Sequence, residues 1–379
     1  MNHSIIRTLA FLSLFLLNFN ISFAGDLPAN AMAEMGQAGP EKKEKPAGEA
    51  GRFNAGELII EHITDNHYWH MVGDVSIPLP VIIYQPGKGV EIFSSSRFEH
   101  GHVAYNGYRL DEKNHIEAED GSALYDLSIT KNVASLLVAV GLMLLVFISI
   151  ARRYSQNKNS APKGLQSWIE PVIVFIRDEI AISSIGKKRY AKYMPFLLTV
   201  FFFILFCNLL GLIPLAPGGA NVTGNIAITM TLAVITFVIT TVSANKSYWR
   251  HIFAMPGVPV WVLFLLTPIE ILGMFLRPFV LMIRLFANIL AGHIIALSFF
   301  SLIFIFGEMN QWVGMSVSVV SVAFTVFMTM LELLVAFLQA YVFTLLSAIY
   351  FGAAVEEHNG HEHEPHADKT EHIEEAALI

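Results

Sequence analysis

From residue 133 onward the chain is a series of long apolar runs, and the polar positions inside them are few enough to name. Segments 133–151, 197–213 and 226–244 each match the roughly 20 residues that an α-helix needs to cross a bilayer. The run 279–306 has 28 residues and no proline, so as one helix it spans about 42 Å, more than the ~30 Å hydrocarbon core. The run 315–351 has 37 residues without Gly or Pro. As one helix it is about 55 Å long and fits the core only at a tilt beyond about 50°. A pair of shorter helices would need turn residues that are absent, so one long, strongly tilted helix is predicted. Such a helix suits a protein that wraps a curved partner inside the membrane. Segment 252–276 is apolar but interrupted by Pro256, Pro259 and Pro268 and closed by Arg277-Pro278, which predicts a re-entrant or partly helical approach rather than a clean span. Segment 168–185 alternates apolar residues with Glu170, Arg177, Asp178 and Glu179, the pattern of a helix lying in the interface.

The first third reads differently. Residues 1–24 have Arg7, an apolar core over 9–17 and Ser22-Phe23-Ala24 before Gly25, the layout of a secretory signal peptide. An uncleaved first helix is the alternative; the short run and the polar Asn18 and Asn20 favour cleavage. Residues 25–51, rich in Ala, Gly, Pro, Glu and Lys, read as a disordered linker. Across 52–126 the β-prone runs LIIEHI, VIIY, VEIF and HVAY alternate with Gly, Pro and Asp, and Tyr105-Asn106-Gly107-Tyr108 reads as a hairpin turn. The fold class is therefore an all-α polytopic membrane protein of about five membrane-embedded helices over 131–355, the last two long and strongly tilted, preceded by a small β-rich extracytoplasmic domain. Residues 356–379 form a tail rich in His and Glu, read as solvated.

Composition and charge narrow the function. Of 379 residues 54% are hydrophobic and only 15% charged, against about 25% charged in soluble domains. Arg152, Arg153, Lys187, Lys188, Arg189 and Lys192 gather in one connection, and Lys246 and Arg250 in another, while the Pro/Gly/Asn loop 214–225 carries no charge. By the positive-inside rule those basic connections and the C-terminus are cytoplasmic and the N-terminal domain lies outside. No basic, aromatic-interleaved surface suggests nucleic acid. The single cysteine, Cys207, sits in an apolar run, which excludes an intrachain disulfide and a cysteine metal site. The histidines of 52–126 have no metal-ligand spacing, and no Gly-rich phosphate loop ending in Lys-Ser/Thr is present, so ATP chemistry, a metal and a cofactor are all unexpected.

The chemistry lies in the membrane. An arginine at mid-membrane depth costs roughly 2.5–3.5 kcal/mol on insertion scales, and Arg284 sits within the run 279–306. A bland account is a snorkelling or structurally paired arginine. On the last run, Glu332, Gln339 and Tyr350 are 7 and 11 residues apart, which returns a helix to within about 20° of one face. Asn288 is one turn from Arg284; His293 is nine residues on, opposite it and about 13 Å further outward. His293 and Glu332 can exchange protons, whereas Arg284 keeps its charge at any working pH. Titratable groups leading to a fixed positive charge describe a proton path with a barrier. A buried His–Glu pair that merely links two helices is the structural alternative; Glu270, Asn288 and Gln339 alongside it make that account the poorer one.

Arg284-Leu285-Phe286-Ala287-Asn288 with Ala291-Gly292, preceded by Pro268-Ile269-Glu270 and Arg277-Pro278, resembles the motif of subunit a of F-type ATP synthases, the stator ion-channel subunit. Leu338-Gln339-Ala340-Tyr341-Val342-Phe343 with Tyr350, and Asn208-Leu209-Leu210-Gly211-Leu212-Ile213-Pro214, extend the resemblance over about 191–352. It implies that Arg284 faces the carboxylate of each c-ring subunit and that Glu270, Asn288, His293, Glu332, Gln339, Tyr350 and Asn208 line two aqueous half-channels. It further implies a non-catalytic subunit of a hetero-oligomer containing the c-ring and the peripheral-stalk subunit b. His293 and Glu332 stand where some members carry Glu and His, and Gly211 where some carry Asp. The alternative function is a self-contained proton-coupled secondary transporter, which usually shows paired repeats; none is visible here. An anchor for the β-rich domain would not need Arg284 and Glu332 in the bilayer.

Overall fold

The computed structural model describes residues 54–356 except 73–74, 102, 112–113, 157–160, 214–217 and 256–257. The signal-peptide, linker and His-rich-tail readings lie outside the described residues. Within them the chain is an all-α multi-pass membrane protein with a small β-rich N-terminal region.

That region opens with helix α1 (Ala55–Ile63), where strand was expected for LIIEHI. Leu58, Ile59 and Ile63 recur at helical spacing, and Asn54 starts the helix by accepting a hydrogen bond from the Gly56 N–H at 3.1 Å. Strands β1 (Tyr68–Val72) and β2 (Val75–Pro78) pair as a hairpin, β3 (Pro80–Gln85) lies between β4 (Gly89–Ser94) and β7 (Tyr125–Asp126), and β5 (Tyr108–Leu110) pairs with β6 (Ile116–Ala118). Val81 and Ile83 of β3 alternate inward to meet Phe98, Tyr108 and Ile116 in a small core. The Asn106-Gly107 turn forms as predicted, with both residues at positive φ and Tyr105 and Tyr108 exchanging backbone hydrogen bonds of 2.9 and 3.0 Å. Of the HVAY run, the described residues 103–105 form no strand, and Tyr105 makes an isolated bridge to Tyr108.

The membrane unit begins at α2 (Lys131–Gln156), whose N-terminus is capped from 65 residues upstream: Asp65 accepts from the Asn132 N–H at 3.0 Å and the Thr130 hydroxyl at 2.7 Å. Helix α3 (Leu165–Phe175) widens into a π-helical stretch (Ile176–Ile182) and ends at Gly186, φ 90°. Its Trp168 is 82% exposed, as an interfacial helix requires. Helices α4 (Tyr190–Gly211) and α5 (Ile226–Ser243) follow, then the short α6 (Lys246–Phe253). Leu197, Val200, Phe201, Phe203 and Ile204 of α4 are essentially buried, so α4 is the core of the helical unit.

Helix α7 (Val260–Met309) runs unbroken for 50 residues, through both Pro268 and Pro278. This corrects the re-entrant expectation for 252–276. A proline costs a helix about 3 kcal/mol, but opening the backbone in hydrocarbon leaves several groups unsatisfied at several kcal/mol each. Continuing the helix is the lower-energy choice. Asn310 ends α7 and starts α8 (Gln311–Val355), accepting from the Trp312 N–H at 2.9 Å. Helix α8 is 45 residues, about 68 Å, in one piece. Helices α7 and α8 pack along each other; α8 leans on α4, and α7 on α5. The last carbonyls of α8 are taken by the Arg189 guanidinium and the Asn245 amide, both at Val355.

Candidate functional site

Every candidate residue but Asn208 stands on α7 or α8. Arg284 is on an exposed face of α7, and Ala287, Asn288 and Ala291 share that face at helical spacing. The stripe beside the arginine is thus small and open. Among the described residues Arg284 makes no ion pair.

On one side of this level are His293 and Glu332. Their side chains are 15% and 13% exposed, and His293 Nδ1 lies 3.9 Å from Glu332 Oε1. That is beyond hydrogen-bond length but one small torsional change from it. Glu332 Oε1 is buried and, among the described residues, has no hydrogen-bond partner. Leaving such an acceptor unsatisfied costs about 1–3 kcal/mol, which a purely structural residue has no reason to bear. Two glycines make room here. A methyl group at Gly292 would lie 2.7 Å from Glu332 Oε1, and one at Gly211 would lie 3.7 Å from His293 Nε2.

Level with Arg284, the Asn288 amide donates to Gln339 Oε1 at 3.1 Å, joining α7 to α8. Gln339 is 3% exposed, so this bond satisfies a buried acceptor. On the other side, Tyr350 is half-buried, 11 residues beyond Gln339 on α8. Glu270 is half-buried, 14 residues before Arg284 on α7, within about 40° of its face and about 21 Å away along the axis. Asn208 is buried; its amide donates to the Ala336 carbonyl of α8 at 3.2 Å, and its Oδ1 accepts from the Thr223 hydroxyl at 2.6 Å. It ties α4 to α8 and to the loop before α5.

Sequence reasoning pairs His293 with Glu332, which the structure places 3.9 Å apart; the Asn288–Gln339 bond it does not foresee. It misses Gly292 as the seat of Glu332 and Thr223 as the partner of Asn208. Only the Ala291-Gly292 pair next to His293 hinted at a close helix approach.

An arginine with no ion pair among the described residues and an imidazole–carboxylate pair, both on the two long helices α7 and α8, are the intramembrane polar groups that mark ion pathways in multi-pass helical proteins. The family model "ATP synthase A chain" matches residues 133–352, and a domain of unknown function, DUF8433, matches 58–135. The chain is 41% identical to "ATP synthase subunit a 2" of Chlorobaculum tepidum, over 89% of this chain and 82% of that one. It is 36% identical to "ATP synthase subunit a" of Chlorobium phaeobacteroides over 94% and 95% of the two chains. With Chloroherpeton thalassium "ATP synthase subunit a" it shares 42% identity over 65% and 72%. The chain belongs to the ATP synthase subunit a family.

Proposed function

We propose that this chain is the non-catalytic, proton-translocating stator subunit of a rotary ATP synthase, working against the carboxylates of a c-ring and held by a peripheral-stalk subunit b. The observation that carries the reading is Arg284: a fixed charge on an open, small-residue face of α7, with no counter-charge among the described residues. Its partner has to come from another subunit.

The mechanism follows from solvation and charge. One half-channel, lined by His293 and Glu332 with Asn208 at its wall, opens outside the cytoplasm. The other, on the Glu270 and Tyr350 side, opens to the cytoplasm. A proton passing through the first neutralises a ring carboxylate, which can then face lipid where a charged one could not. The ring turns until that site meets the second half-channel and Arg284, whose opposite charge favours the ionised form, and the proton leaves. Direct passage between the half-channels is blocked because a cation crossing at Arg284 is repelled. A membrane potential supplies about 2.3 kcal/mol per charge per 100 mV. Asn288 and Gln339 hold α7 and α8 in register at the level where this exchange occurs.

Proximity to the ring is tested by cross-linking. Ala287→Cys in the assembled complex should form a disulfide with a cysteine placed beside the ring carboxylate, under mild oxidation. Cross-links from Ala287→Cys to lipid-facing partners only, with none to the ring, would contradict the reading.

A further inference from the structure

The N-terminal domain is docked on the helical unit at the α4–α5 loop that flanks His293. Helix α1 packs directly against α7. The indole N–H of Trp69 donates to the Gly218 carbonyl in the loop between α4 and α5 at 3.0 Å, a buried bond. That loop and the end of α4 flank His293: an added methyl at Gly211 would lie between the Ala220 carbonyl at 3.3 Å and His293 Nε2 at 3.7 Å. The end of α1 is in turn tied to the start of α2, where Lys131 Nζ donates to the His62 carbonyl at 3.0 Å and the Lys131 N–H donates to the Asn66 carbonyl at 2.8 Å. Lys131 is 7% exposed, and Asp65, the cap of α2, stands beside it.

We propose that residues 54–126 form the outer wall of the proton path, and that His62 at the end of α1 is the exchanging group that passes protons between outside water and His293. This rests on the proton-translocating reading above. Three features support it. His62 is only half-buried, so its imidazole can exchange with water. Lys131 at the start of α2 holds the His62 carbonyl while α1 itself packs on α7, the helix that carries His293, so α1 and the start of α2 meet the long helices together. And the wall is fastened at both of its edges, to the Gly218 loop and to α2, so it is held over the path rather than hanging beside it. Among the described residues, the titratable groups on the elements that meet here are His62, Asp65 and Lys131 from the wall, and His293 and Glu332 from the long helices. An imidazole changes charge near neutral pH; the Asp65 carboxyl, raised by burial, is fully enclosed as the cap of α2 rather than open to water, and Lys131 is a positive neighbour.

The experiment is passive proton conduction, driven from outside to inside, in membrane vesicles carrying the assembled complex with its catalytic sector stripped off. His62→Ala should lower conduction by about tenfold or more, in line with loss of a positioned proton-transfer group. Free imidazole added on the outer side should restore it; a purely structural role for His62 would not respond to imidazole. Conduction unchanged in His62→Ala, or a loss that imidazole does not relieve, overturns the proposal. His62→Cys provides an independent arm that remains decisive should His62→Ala not assemble. A membrane-impermeant cationic methanethiosulfonate applied outside should label it and block conduction relative to the unlabelled variant, while failure to label, or labelling without block, overturns the proposal. If Arg284→Ala abolishes coupling while both His62 variants are silent, only the wall inference fails. If Arg284→Ala leaves coupling intact, the underlying reading fails whatever His62 does.

Discussion

Gly292 is the seat of Glu332: a methyl group at this glycine would lie 2.7 Å from the carboxylate oxygen that faces His293. The glycine therefore sets where the carboxylate sits. Because the obstructing atom is the end of a flexible side chain, Gly292→Ala should leave the fold and assembly intact while moving Glu332 off its position. A displacement worth about 1.4 kcal/mol in the transfer step slows it about tenfold. Conduction in stripped vesicles, normalised to subunit content by immunoblot, checks this; a normal rate in Gly292→Ala would show that the position of Glu332 is not rate-setting.

The Asn288–Gln339 bond joins the two longest helices. Interhelical polar bonds in membranes average about 0.6 kcal/mol and reach about 1.7. Gln339→Leu and Asn288→Leu should each destabilise the purified subunit by that order, and the double variant by less than the sum of the two. A double-mutant cycle from denaturant unfolding in detergent checks it, and strict additivity would show the bond to be energetically idle.

Outside the membrane, Asp126 is the acid-sensitive point of the N-terminal domain. Burial pushes its carboxyl up, but the nearby His67 imidazole and the Ser128 N–H, which donates to Asp126 Oδ1 at 2.9 Å, outweigh that and hold it below the usual carboxylate range. His67 Nε2 lies 3.5 Å from Asp126 Oδ2. A depressed folded-state value contributes stability above the unfolded value of about 3.9, lost as pH falls through the folded one. The domain should therefore hold to about pH 4 and loosen below it, read by the fluorescence of the buried Trp69 on an otherwise unchanged tryptophan background. Asp126→Asn should cost about 1–3 kcal/mol and flatten that acid transition; an unaltered transition would place the acid sensitivity elsewhere.

The features legible in the sequence were those set by local pattern. Hydropathy located all five long helices, because hydrocarbon leaves the backbone no alternative to internal hydrogen bonding. The Asn106-Gly107 turn was legible because it needs two residues at positive φ, which that dipeptide tolerates. The spacing of Glu332, Gln339 and Tyr350 followed from helical geometry alone. Other features depended on groups far away in the chain. Helix α1 was misread because Leu58, Ile59 and Ile63 suit a strand as well as a helix, and packing against α7 decides between them. Pro268 and Pro278 suggested a break because the cost of an open backbone at depth is invisible in a propensity. Gly292 and Thr223 carry no chemistry of their own, so their roles appear only once Glu332 and Asn208 face them.

The central claim is that Arg284 is the barrier between two proton paths, and replacing it tests that most directly. Arg284→Ala should abolish ATP-driven proton pumping in membrane vesicles while passive conduction through the stripped membrane sector persists or rises, since neither half-channel has lost its own groups. Coupled pumping that survives near its normal rate in Arg284→Ala would make the arginine structural and contradict the account.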